Sequence, residues 1–244
     1  MLLNKDNYFE PAMNMKYMSV SQYKRFTECE GMAMAMLKGE YIYPSSISML
    51  VGSYVDAHFE GSLDEFITRN PLIFTQKGTL RSEYKKANEI IKRIERDELF
   101  MQFLSGEKQT IFIGELFGIE WKVKIDSYIS DKCIVDLKTL KDMRFIDKWR
   151  YDIQGAVYQA IVKANTGKKL PFYLSIATKE TVTDIDIFQI PNYLLKQALE
   201  EIEENILHIM DVKNGEVEPE YCGVCDYCKT IKKATIRDYT DLLQ

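Results

Sequence analysis

The chain has 244 residues, a net charge of −5, 46% hydrophobic and 28% charged residues, with 12 Gly and 6 Pro. That balance builds a core and excludes disordered, collagen-like and low-complexity classes, while the mild acidity excludes a uniformly basic nucleic-acid coat. No apolar run reaches the roughly 18 residues that span a bilayer, and the start lacks a basic segment followed by an apolar block, so a cytoplasmic protein is expected.

In chain order, Ser19 and Gln22 read as a capping box opening a helix that carries Tyr23, Phe26, Met32, Met36 and Leu37 and ends near Gly39. Pro44-Ser45-Ser46 opens a second helix, with Ile47, Leu50, Val51, Tyr54, Val55 and His58. A third, with strong 3.6-residue periodicity, runs from about Ser82 to Phe103. Its Lys85, Lys86, Lys92, Arg93 and Arg96 alternate with Glu89, Glu95, Asp97 and Glu98, as on a solvated face. From Gly106 the texture turns to β. Residues 110–116 and 120–128 form a hairpin about Phe117-Gly118, and 133–137 is a short strand buried on both faces. A helix over about 146–164, strands over 172–178 and 183–190, and a helix from Pro191 to about Val212 follow. The expected fold is α/β (α+β): one domain over 1–244, with a mainly helical part to 105, a sheet core over 106–190, and a C-terminal helix and cysteine cluster over 191–244.

Asp126 lies near the end of one strand and Asp136 on the next, with Lys138 two residues further on the same face. Adjacent strands are about 4.8 Å apart, so two carboxylates at one height can share a divalent cation. Hard oxygens of this kind hold Mg²⁺ or Mn²⁺. Such a cation lowers the pKa of bound water, and a neighbouring lysine stabilises developing negative charge; this is the chemistry of metal-assisted phosphodiester hydrolysis. A plain strand-end salt bridge between Asp136 and Lys138 is the bland alternative.

The order Gly52…His58, Asp126, Asp136-x-Lys138-Thr139, Gln154…Tyr158, with the opening Ser21–Glu30 and the closing Tyr221–Lys229, resembles the RecE-like group (exodeoxyribonuclease VIII, PDDEXK-like domain) of the RecB-type PD-(D/E)xK nuclease superfamily, of phage and prophage type. The resemblance covers about residues 17–235 and lacks the superfamily proline before the first acid, where Lys124-Ile125-Asp126 stands. It implies a restriction-endonuclease-like core, a central mixed β-sheet flanked by helices behind an N-terminal helical lobe. It implies a metal site from His58, Asp126, Asp136 and the backbone carbonyl of Leu137, with Glu115 as an auxiliary candidate. Lys138 would be the catalytic lysine, and Gln154 and Tyr158 would hold the DNA strand or orient that lysine. The implied activity is a metal-dependent DNA exonuclease on linear double-stranded DNA ends, 5′ to 3′. It would work in recombination beside a single-strand annealing protein, with relatives forming ring-shaped homo-oligomers. A catalytically silent DNA-end or partner-binding module, and a single-strand or endonucleolytic nuclease, are the rival readings.

Cys222-x-x-Cys225-x-x-Cys228 offers three thiolates, and Cys29 would be the fourth ligand, as in relatives that clamp a [4Fe–4S] cluster. That cluster, Zn²⁺, and metal-free thiols all stay open, and Cys133 reads as a core residue. Arg144, Lys148, Trp149 and Arg150 either line a DNA groove or form a solvated helix start anchored by Trp149. His208, on a Glu-rich helix, reads as a surface residue.

Overall fold

The computed structural model describes residues 2–236 and 238–242. The chain opens with α1 (Pro11–Lys16), α2 (Val20–Glu28), α3 (Glu30–Leu37), α4 (Ile47–Glu60), α5 (Leu63–Arg69), α6 (Lys85–Glu95) and α7 (Glu98–Phe103). The hairpin β1 (Thr110–Leu116) and β2 (Ile119–Ile125) follows, then β3 (Ser127–Ile129) and β4 (Cys133–Leu140). After α8 (Tyr151–Thr166) come β5 (Phe172–Thr178) and β6 (Ile185–Gln189), α9 (Asn192–Asn214) and α10 (Asp226–Ile231). No helix among the described residues is long and apolar enough to cross a membrane.

The α/β expectation holds, and the sheet is mixed. Strands lie in the order β3-β4-β5-β6, with β4 and β5 parallel and the outer pairs antiparallel, while β1-β2 forms a separate ribbon. The parallel pair needs a crossover, and α8 supplies it. β4 alternates between two cores. Ile134 and Leu140 join a cluster with α2, α8 and α9, while Val135 and Leu137 join one with α4 and α6. Burial on both faces explains why this strand reads as a continuous apolar run. It runs to Leu140, longer than the sequence signals, because Lys138-Thr139-Leu140 continue pairing with β5.

Three helical boundaries differ from expectation. The helix expected over Ser19 to Gly39 is two helices. Ser19 caps the first as read, but Cys29 is extended (φ −169°, ψ 107°) and breaks the run. The helix expected over Ser82–Phe103 breaks at Asp97, whose carboxylate caps α7 through the Phe100 N–H. The helix expected from Ile146 begins as 3₁₀ turns over Met143–Trp149, and α8 starts only after Arg150, which is left-handed (φ 46°). The second hairpin arm also stops at Ile125, and β3 changes sheet to pair with β4. Asp126 sits at that change of sheet.

Candidate active site

The strand register builds the site. Ser127 pairs with Val135, so Asp126 stands beside the buried Asp136 at the edge of the mixed sheet. One Asp126 oxygen accepts the Leu137 N–H at 3.0 Å, and the other accepts Gln109 Nε2 at 3.3 Å. Asp136 is 1% exposed. Its Oδ1 accepts Gln154 Nε2 from α8 at 2.7 Å, and its Oδ2 meets Lys138 Nζ. Tyr158, one helical turn beyond Gln154, donates to the Lys124 carbonyl at 3.0 Å.

α4 closes the other side. Gly52, Asp56 and Glu60 lie four residues apart and form one stripe. At Gly52 the helix backbone rests against β4, where an added Cβ would stand 2.6 Å from Thr139 Oγ1. Asp56 Oδ1 is cut off from solvent and has no hydrogen-bond partner among the described residues. Such an orphaned oxygen is costly unless something else compensates it. Glu60 accepts from the same Gln109 that reaches Asp126, at 2.6 Å. A void of about 10 Å³ lies among Asp56, Glu60, Lys108, Asp126 and Leu137, about the room one water-sized particle takes.

The electrostatics single out the same residues. Burial, opposed by Lys138 and reinforced by Asp126, pushes the Asp136 carboxyl up to about 7. Burial also raises Asp56 well above the usual carboxylate range, with Asp126, Glu60 and Asp136 adding to the rise. Burial alone would lower Lys138, but Asp136, Asp126 and Asp56 together hold it above the ordinary lysine value. Three carboxylates crowded around one lysine form the kind of perturbed cluster that marks functional sites.

This floor opens into a cleft of about 780 Å³ whose lining includes Asp56, Lys138, Lys141, Lys148, Trp149 and Lys179. The Trp149 side chain is 57% exposed, so it is no core anchor. Lys24 on α2 holds the Trp149 carbonyl at 2.6 Å. Burial, then the charge of Lys138, draws Lys24 down to about 8.

Several expected members fall outside. His58 points from another face of α4 and binds Glu95 of α6 through Nε2 at 2.9 Å, so the structure does not bring it into the carboxylate cluster. Asp56, two residues earlier, faces the cluster instead; the four-residue spacing from Gly52 to Asp56 to Glu60 was the available signal. Glu115 is exposed at the far end of the ribbon, paired in register with Glu120, whereas Thr110 and Ile125 form the end next to Asp126. Arg144 is held by Asp142 at 2.6 Å, and Arg150 by Asp152 at 3.0 Å and Glu201 at 2.6 Å. Neither arginine lines the cleft. Gln154 and Tyr158 are buried, the first donating to Asp136 and the second to the Lys124 carbonyl.

A second cluster joins the chain's two ends. The sulfurs of Cys29, Cys222, Cys225 and Cys228 all lie within 4.8 Å of one another, the one such His, Cys, Asp or Glu group among the described residues. Cys29 and Cys228 are 3.6 Å apart, and Cys222 and Cys228 are 3.8 Å apart. The Cys225 N–H donates to Cys222 Sγ at 3.3 Å, and the Cys228 N–H to Cys225 Sγ at 3.4 Å. Backbone N–H groups of Val224 and Cys225 draw the Cys222 thiol down to about 6. The extended Cys29 that breaks the first long helix is what aims its sulfur here. Cys133 lies in the core, as expected.

The model of a PDDEXK-like domain of unknown function (DUF3799) matches residues 19–231. A crystal structure of a protein from Eubacterium rectale, described as a "Putative exonuclease", is similar to this chain at 47% identity and a TM-score of 0.95, covering 100% of this chain and 98% of that one. The structure of a protein described as SSO0001 is 12% identical with a TM-score of 0.35, covering 88% of this chain and 95% of that one, and bears on nothing below. No curated protein matches. With that domain model spanning most of its length, on a mixed sheet carrying Asp126, Asp136 and Lys138, the chain belongs to the PDDEXK-like DUF3799 family.

Proposed function

We propose that this protein is a metal-dependent deoxyribonuclease that removes nucleotides from the ends of linear double-stranded DNA, 5′ to 3′, with residues 1–244 acting as one unit. The observation that carries this reading is the orphaned Asp56 Oδ1 beside the Asp136–Lys138 pair, at the floor of a lysine-lined cleft. A buried oxygen with no partner among the described residues, next to two further carboxylates and a void of about 10 Å³, fits a hard divalent cation. Asp56, Asp126, Asp136 and the Leu137 carbonyl would hold Mg²⁺ or Mn²⁺. When bound, the cation supplies charge neutralisation at the phosphoryl oxygen and a more acidic water. Lys138 sits two residues from Asp136 on the same face, and its ammonium counters negative charge that develops on the phosphorus oxygens. Gln154 fixes the orientation of Asp136. Lys141, Lys148 and Lys179 offer cations to the strand's phosphates, and Trp149 an exposed face to a base.

The donor set of the second cluster is soft, and its spacing favours one ion. Four thiolates around a tetrahedral Zn²⁺ with bonds of about 2.3 Å stand about 3.8 Å apart. Two of the six sulfur separations, 3.6 and 3.8 Å, match that edge, and all six lie within 4.8 Å. In a [4Fe–4S] cubane each sulfur sits on a different iron, so the four stand farther apart. A structural Zn²⁺ held by Cys29, Cys222, Cys225 and Cys228 is therefore our reading.

The test uses end-labelled linear duplex DNA with Mg²⁺, with Mn²⁺ and with EDTA, alongside Asp136→Ala. Metal-dependent loss of label that the variant lacks is the expected result, and the order of product release gives the polarity. Cleavage in EDTA, or by the variant at the wild-type rate, would overturn the assignment. A covalently closed duplex separates exonucleolytic from endonucleolytic action.

A further inference from the structure

A cavity of about 140 Å³ among α1, α2 and α3 is lined by Asn14, Ser19, Ser21, Gln22, Arg25 and Lys122 together with Tyr8, Phe9 and apolar side chains of α2 and α3, and shares no lining residue with the cleft. No carboxylate lines it among the described residues. Lys122 is 1% exposed, and its ammonium has only neutral acceptors, the Tyr8 carbonyl and Asn14 Oδ1. Next to it Lys213, equally buried, also has only neutral acceptors, the Tyr17 carbonyl and Gln22 Oε1, each at 3.0 Å. Burial pulls both lysines down to about 8, and the charge of Lys122 adds to the shift on Lys213. The Arg25 guanidinium, part-buried at the cavity wall, has no hydrogen-bonded or ion-paired partner among the described residues; Glu28 and Tyr43 act on it only through space.

Buried cations are ordinarily paired with an anion, and a guanidinium presents five donors in a planar fork that suits an oxyanion. Arg25 of α2 and Lys122 of β2 line the cavity, Lys213 of α9 adjoins it through its bond to the lining Gln22, and no carboxylate stands on its wall among the described residues. The cavity has room for a phosphate group and not for a nucleotide. We infer that this cavity is an oxyanion site that binds a phosphate group, grasped by Arg25 with the hydroxyl of Ser21 and held in the positive field of Lys122 and Lys213. The phosphate is either the free ion or the terminal group of a phosphorylated DNA end, and its binding does not depend on whether the cleft cleaves DNA.

The experiment is thermal unfolding of the full chain without added divalent cation at pH 7, titrated with inorganic phosphate against chloride at matched ionic strength. A saturable rise in the midpoint is expected for the wild type. Arg25→Gln should weaken the apparent affinity by about tenfold or more, since it removes charge-assisted hydrogen bonds. Ser21 is exposed, so Ser21→Asp leaves the fold in place while putting a carboxylate beside the guanidinium; it should abolish the response. The same titration with a 5′-phosphorylated and a 5′-hydroxyl oligonucleotide tells a DNA end from the free ion. A wild-type midpoint that does not saturate, or a response of wild-type size in both variants, would overturn the inference.

Discussion

The floor of the cleft and the cysteine corner are both built to collect negative charge, and they do so in opposite ways. The floor gathers hard oxygens of Asp56, Asp126 and Asp136 on three elements and balances them with an internal cation, Lys138. It stays open to a cleft of about 780 Å³. The corner gathers soft sulfurs, includes no lysine, and draws its ligands from the two ends of the chain. Glu30 tightens that closure by taking the Glu220 N–H at 2.8 Å and His208 at 2.7 Å. An open set with a built-in counter-charge suits exchange of water and substrate, while a closed thiolate set suits a fixed structural ion. The difference can be broken from either side.

The largest effects belong to the floor. Asp136→Ala and Lys138→Ala should each lower the cleavage rate by on the order of 10³-fold or more, with circular dichroism unchanged. A variant that unfolds would instead mean that the pair is a structural salt bridge. Asp56→Asn should cost roughly 10²-fold, because it removes a charge from the set while keeping its shape. His58→Asn should leave the rate within about twofold, since His58 binds Glu95 and not the cluster. Equal losses at positions 56 and 58 would contradict the geometry of α4.

That pair of residues also marks how far the sequence could be read. Asp126, Asp136 and Lys138 were legible because period-2 alternation sets Asp136 and Lys138 on one face, and charge at the end of an apolar strand is costly without a partner. Gln154 was legible as a neighbour, though its role in aiming Asp136 needed the packing of α8 on β4. His58 stood out by rarity, whereas Asp56 was hidden among ordinary aspartates; only the stripe through Gly52 and Glu60 distinguishes it. The breaks at Cys29 and Asp97 were masked by helical periodicity on both sides, because the reasons for stopping lie in a distant sulfur cluster and a side-chain cap. Arg144 and Arg150 looked free for phosphate because their partners are two residues away or on α9, and exposure cannot be read from a charge run.

At the corner the expected loss is in stability. Cys228 is buried, and Cys228→Ser should cost about 3 kcal/mol, or roughly 6–12 °C in thermal midpoint, if the four thiolates hold an ion. A zinc chelator should reproduce that shift in the wild type and add nothing to the variant. Loss of cleavage in Cys228→Ser at a temperature where it remains folded would merge the two regions and defeat the comparison.

The rim of the cleft gives a smaller effect. Trp149→Ala should weaken binding of a single-stranded oligonucleotide by roughly five- to 150-fold, the value of one base–aromatic stack. Arg144→Ala should change it less than about twofold, because Asp142 already occupies the guanidinium. Trp121 is fully buried, so quenching of the remaining tryptophan on binding reports Trp149 directly.

Acid should separate the two regions by the smallest step. Both sets must lose protons before they hold a cation. Burial leaves Asp136 protonating near 7; backbone N–H groups draw the Cys222 thiol down to about 6, whereas burial pushes the Cys228 thiol up to about 12, so a bound ion is what keeps the thiolate set deprotonated. The Asp136 carboxyl is raised in the folded chain, so without metal its burial penalty is present above pH 7 and relieved as pH falls through 7. Metal-free protein should therefore gain stability from this group as the cleft loses its affinity for Mg²⁺. A single proton near 7 leaves half the carboxylates charged at pH 7 and about a tenth at pH 6, a roughly fivefold fall in rate at subsaturating Mg²⁺. Over that interval the thiolate-bound ion should stay in place, as measured by metal content after desalting. A rate that is flat from pH 7.5 to 6 would mean that Asp136 is ionised throughout by its contact with Lys138, and that Lys138 is engaged as a counter-ion rather than free to meet the phosphate.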